Sequence, residues 1–118
     1  MRVVTWNCRK ASAQSRVWDY LLELTPDLAL LQEVCDIPQH VKSRYTTVQH
    51  YPIRKNGSPQ QFTTAVLVRG VVGNRITLQG PAPWVDAELQ RFAGDLIGVE
   101  LQPDCGPRLK IICVYSPA

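Results

Sequence analysis

Arg2-Val3-Val4-Thr5-Trp6-Asn7 and Asp27-Leu28-Ala29-Leu30-Leu31-Gln32-Glu33-Val34 are the two stretches on which the fold turns. The first is rich in β-branched and aromatic side chains, which suit a pleated, half-buried surface, and reads as a strand ending at Asn7. The second opens with a continuous apolar run, the pattern of a strand covered on both faces. Cys8 to Ala13 reads as a polar connection carrying Arg9 and Lys10. Val17, Leu21 and Leu24 then recur at helical spacing, with Trp18 and Leu22 widening the stripe, which predicts a helix over 15–24. Ser12 or Ser15 is placed to cap it by accepting bonds from its free N–H groups. Thr25-Pro26 ends it, because proline cannot continue the hydrogen-bond ladder. Strand, helix, strand within about thirty residues is a βαβ unit, and such crossovers are nearly always right-handed. Parallel neighbours would bring Asn7 and Glu33 to one edge of a sheet.

With 118 residues the chain has room for one small domain, 1–118. Its 45% apolar and 19% charged content argues against disorder. A net charge of +3 and a pI near 8.8 permit contact with phosphates without demanding it. The four cysteines, Cys8, Cys35, Cys105 and Cys113, form no Cys-x-x-Cys pair and share no ligand spacing with His40 or His50. They read as reduced thiols, at least two of them inside strands, and not as a zinc site. No apolar run approaches the roughly 18 residues of a membrane span and no signal peptide is visible, so the default expectation is a cytoplasmic protein.

Further on, Gln39 to Ser43 suits one or two helical turns and Tyr45 to His50 a strand. Asn56-Gly57 and Ser58-Pro59 are turn signals in a surface loop or hairpin. Phe62 to Arg69 is a clear strand, Arg75 to Leu78 a short one, and Gly80 to Pro83 a break. Trp84 to Phe92 fits helix or strand and leans towards extended or irregular, with Trp84 assigned to packing. Asp95 to Gln102 and Arg108 to Tyr115 read as an antiparallel hairpin with a five-residue loop. The expected fold class is α/β: a mixed sheet whose one face is covered by the helix over 15–24. Nothing in the sequence supplies cover for its other face, which makes that face a surface for self-association.

Ligands of open α/β sheets collect at the carboxyl ends of strands. Glu33 offers a carboxylate there. Mg²⁺ often takes only one or two protein carboxylates, with waters and a substrate phosphate completing its shell. Asn7 on the neighbouring strand end could orient the metal's waters or donate to a phosphate oxygen, and Arg9 and Lys10 add charge for an anion. A purely structural account also fits: Glu33 a solvated strand end, Asn7 a turn former.

The residues Thr5-Trp6-Asn7, Pro26-Asp27 leading into Leu31-Gln32-Glu33-Val34, Thr64-Ala65-Val66-Leu67-Val68 and Val114-Tyr115-Ser116-Pro117 carry a resemblance. In order and rough spacing the chain resembles the endonuclease/exonuclease/phosphatase superfamily, that of pancreatic deoxyribonuclease, abasic-site endonucleases, inositol phosphatases and sphingomyelinases. The resemblance implies one half of a four-layer α/β sandwich. It implies a metal-dependent hydrolase of phosphate esters, with Mg²⁺ or Mn²⁺ as cofactor. Glu33 matches the family's metal-binding glutamate, Asn7 the asparagine that organises metal and phosphate, and Tyr115 a tyrosine some nucleases place near the phosphate. The family's carboxy-terminal half carries an Asp-x-Asn motif and an Asp-His motif, and neither occurs in these 118 residues. His40 and His50 lie too early and lack an adjacent aspartate.

Three expectations follow: a truncated phosphodiesterase inactive alone, a half-fold kept as a binding module, or two copies pairing through the open sheet face. The substrate would be a phosphate ester, and the mild positive charge leans towards nucleic acid.

Overall fold

The computed structural model describes residues 1–51, 56–91 and 96–115. Ser116-Pro117, the start of the hairpin at Asp95 and the end of the Trp84–Phe92 stretch lie outside them. Strand β1 (Val3–Ala11) leads through helix α1 (Val17–Leu24) to strand β2 (Leu28–Val34). The two strands pair in parallel, Val3 opposite Leu28 through Asn7 opposite Gln32, so the expected βαβ unit is present. The helix stops as Thr25 turns left-handed (φ 45°) and Pro26 follows. The Arg2 guanidinium donates to the Leu24 carbonyl, which satisfies one of the orphan acceptors at that end. Arg16 holds the N-cap position without a side-chain bond. Ser15 acts beside it, its Oγ accepting from the Val17 N–H at 3.3 Å.

A short helix, α2 (Gln39–Lys42), precedes β3 (Thr46–Gln49), and β4 (Thr63–Val68) runs antiparallel to both β2 and β3. The first sheet therefore has the order β1-β2-β4-β3. All six residues of β4 are buried, as its central place between two layers requires. Ala65 and Leu67 face the helices together with Leu31, Val34, Trp18 and Leu21. Val66 and Val68 face the other way.

Here the structure departs from the single sheet the sequence suggests. The face left without cover is covered by a second, antiparallel sheet, β5 (Gly70–Arg75), β6 (Leu96–Pro103) and β7 (Leu109–Val114), in that order. Val66, Val68, Leu28 and Val48 pack against Ile97, Val99, Leu101 and Cys113 to form a second core. The architecture is thus helices, mixed sheet, antiparallel sheet. The switch happens at Arg69-Gly70. A Cβ on Gly70 would strike the Gln102 carbonyl and the Pro103 Cα, so only glycine allows the chain to step between layers there.

Three local expectations are corrected. The strand placed at Arg75–Leu78 ends at Arg75, because β5 pairs with β6 from Gly70 onwards. The connection from Cys8 belongs to β1, which continues to Ala11 through a break in register. Trp84 lies on a helix, α3 (Pro83–Arg91), where extended structure is expected. Pro83 pre-sets the first helical φ, Ala87 to Arg91 are helix formers, and Glu88 pairs with Arg91 at 3.8 Å. None of its residues is buried, and Trp84 is 71% exposed, so it does not pack as expected. The β6–β7 hairpin matches the sequence reading. Asn56-Gly57, ahead of β4, forms the turn expected there, with Gly57 at φ 85° and Asn56 Oδ1 accepting from the Ser58 N–H. Among the described residues no helix is long and apolar enough to cross a membrane.

The helix-side core and the exposed helix α3 set unequal costs. Leu31→Ala is expected to lower unfolding free energy by about 2–5 kcal/mol, and Trp84→Ala to change it by less than about 0.5 kcal/mol, both measured by urea titration.

Candidate functional site

The period of β2 breaks at its carboxyl end. Leu31 and Val34 both lie in the helix-side core, although three positions separate them. One extra residue reconciles this. Leu31 pairs with Ala65 and Val34 with Thr63, three steps on β2 against two on β4. The surplus is a β-bulge with Glu33 in the left-handed region at φ 53°. Ahead of the bulge, Gln32 faces the second sheet, where its side chain meets Cys113. A larger bulge sits beside it in β1, where Asn7 pairs with Gln32 and Ala11 with Val34. Arg9 (φ 51°) and Lys10 (φ 61°) form its turn. Asn7 shapes that turn, its Oδ1 accepting from the Arg9 N–H at 2.9 Å. Asn7 is therefore a turn former, as its structural account requires.

Gln32 is the hub, although sequence reasoning gave it no role. Its Nε2 donates to Thr5 Oγ1 at 3.4 Å, to the Leu30 carbonyl at 3.3 Å and to Cys113 Sγ at 3.8 Å. The last contact ties β7 over the end of β2. Tyr115 follows Cys113 by two residues, one position past the end of β7. Asn7, Glu33 and Tyr115 are thus each within two residues of Gln32 or of a direct partner of it, at one end of the molecule. The clue in sequence was the apolar Val34 three places after Leu31.

Glu33 is half-buried, and among the described residues its carboxylate meets neither a hydrogen-bond donor nor a basic side chain within ion-pairing distance. Its charge is felt by Cys8, whose thiol is pushed up to about 12, chiefly by burial and then by Glu33. Burial also lifts Cys113 to about 11, against the bond from Gln32. Across the bulge, Thr63 is buried and its Oγ1 lacks a hydrogen-bond partner among the described residues. No group of three or more His, Cys, Asp or Glu that could hold a metal ion occurs among the described residues. Glu33 with Asn7 therefore fits a hard cation held by one carboxylate plus waters, and does not fit a closed all-protein site. His40 and His50 are exposed on other elements.

A cleft of about 520 Å³ opens between the end of β1 and the start of α1, lined among others by Trp6, Asn7, Arg9, Ser12, Arg16 and Tyr20. Glu33 lies outside its lining. Arg9 and Arg16 make it basic, while Lys10 Nζ lies 5.1 Å from the Phe62 ring centre.

All four cysteines are free thiols. Compared with models of known protein families and with curated proteins, the chain matches none.

Two outcomes are expected. Cys8 and Cys113 bind their protons more tightly folded than unfolded, so the stability they contribute is complete below pH 9.0 and is lost as pH rises towards about 11 and about 12. Urea titrations across that range should show the decline, and Cys8→Ala should flatten it. Glu33→Gly relieves a left-handed φ and should raise unfolding free energy by about 0.5–1 kcal/mol. Glu33→Ala, which keeps a Cβ there, should not.

Proposed function

We propose that the end of the sheet around Asn7, Gln32 and Glu33 is one wall of a divalent-cation-dependent pocket that handles phosphate esters, as in the endonuclease/exonuclease/phosphatase superfamily. The observation that carries this reading is a half-buried carboxylate, Glu33, without a partner among the described residues and one position beyond Gln32, which pairs with Asn7 across parallel strands. Mg²⁺ or Mn²⁺ is the cation whose chemistry suits it: oxygen ligands, few of them from protein, the rest water and phosphate. When bound, such an ion screens the charge of a phosphoryl group and polarises it. Asn7 then positions and Arg9 supplies charge for the anion. Tyr115, one residue past the end of β7, would be a further donor to it.

Phosphoester hydrolysis also needs a group that activates water, and general acid–base help is typically worth about 10²–10⁴-fold. These 118 residues contain no Asp-x-Asn or Asp-His motif to provide it. The described site therefore supports cation and phosphate binding better than turnover, and the binding-module reading shares this ground. The substrate class is a phosphate ester; the basic cleft leans it towards nucleic acid.

Added Mn²⁺ is expected to broaden the amide resonances of Gln32 to Val34 with weak, roughly millimolar affinity, and Glu33→Gln to abolish the effect while leaving the rest of the spectrum in place. Bis(p-nitrophenyl) phosphate with Mg²⁺ should show no turnover above background. Absence of broadening in the wild-type chain defeats the cation site, and robust turnover lost in Glu33→Gln defeats the claim that a second wall is needed.

A further inference from the structure

The two sheets are not the same width. In the second sheet β5, β6 and β7 lie over the first, with Cys113 of β7 held above Gln32 of β2. Among the described residues no strand of the second sheet packs closely on β1. Val3, Thr5 and Asn7 pair with Leu28, Leu30 and Gln32 and so share the face on which the second core is built. Yet Val3 is 51% exposed, and Thr5 and Asn7 are exposed as well. Beside this ledge, β7 pairs only with β6 among the described residues, leaving a six-residue edge of backbone donors and acceptors.

We propose that this notch is a strand-addition site, taking one extended peptide segment from another chain, which pairs with β7 and covers β1. The ledge is one strand wide, roughly the 4.8 Å that a neighbouring strand occupies. That width rules out a second copy of this chain. Antiparallel pairing of β7 with its own copy keeps both first sheets on the same side, so the copy's β2 would fall where β1 lies. A lone strand meets no such clash. Charge selects its chemistry: β1 and β7 carry Arg9, Lys10 and Lys110 and no carboxylate. Residues of the guest facing inwards would meet Val3 and Thr5 and should be apolar. Those facing outwards would lie beside Lys110, Ile112 and Val114 and should be acidic near Lys110.

The probe is a capped synthetic peptide of about eight residues alternating valine and glutamate, added to the full chain and followed by amide hydrogen exchange. Alternate amides of β7, those on its free edge, should exchange at least about tenfold more slowly with the peptide, and Val3 and Thr5 resonances should shift. Val3→Glu should abolish this, while Val71→Glu on the opposite edge strand leaves it intact. A stable monomer by sedimentation without peptide is expected. Unchanged β7 exchange, equal binding by Val3→Glu, or a dimer whose β7 amides are already protected would each overturn the proposal. None of these readouts depends on the cation site.

Discussion

The structure around the candidate site depends on one packing demand: Leu31 and Val34 must both reach the helix-side core. A regular strand cannot deliver two side chains three positions apart to one face. The β2 bulge resolves the conflict, and everything unusual at this end follows. Glu33 is driven into the left-handed region, which costs about 1–2 kcal/mol for a residue with a Cβ. Gln32 is turned towards the second sheet. Burying Val34, an apolar side chain fully excluded from solvent, returns about 1.5–3 kcal/mol and outweighs the strain. The carboxylate is thus left without a bond of its own among the described residues.

The second sheet closes over the end of β2 instead of leaving it a bare edge. Gln32 is the link, since a single amide group joins β1, β2 and β7 through Thr5, Leu30 and Cys113. The strands of both layers consequently run out at the same end. Each link is long for a hydrogen bond, so the group works as a bracket of several weak contacts. Charge adds to this arrangement. Glu33 sits near two thiols whose burial keeps them protonated, and so it has no anionic neighbour at neutral pH from that quarter.

Much of this was legible in the residues. Val3 to Asn7 and Leu28 to Leu31 declared strands by composition, and Val17, Leu21 and Leu24 declared the helix by period. Each signal is local, and each element is built on it. The hairpin was equally plain, because Gly106-Pro107 cannot extend either strand. The two-sheet partition was not legible. It rests on Gly70 touching Gln102 and Pro103, a contact between residues thirty positions apart that no window along the chain can display. Helix α3 was missed because it buries nothing, which leaves no apolar stripe to read. The bulge lay in view as a broken alternation at Val34, yet a strand ended at Leu31 hides the break.

Asn7 narrows what the site can do. Its Oδ1 already accepts from the Arg9 N–H, the bond that holds the β1 turn. The amide oxygen is its only good metal-ligating atom, and using it for a cation would compete with that bond. The Nδ2 group is a donor without that duty. In the proposed reading Asn7 therefore serves the phosphate oxygens, and the cation rests on Glu33 alone among the protein's side chains. An ion held by one carboxylate is completed by water and substrate, so cation and phosphate bind more tightly together than apart. In that reading the coupling would place the burden of affinity on the anion.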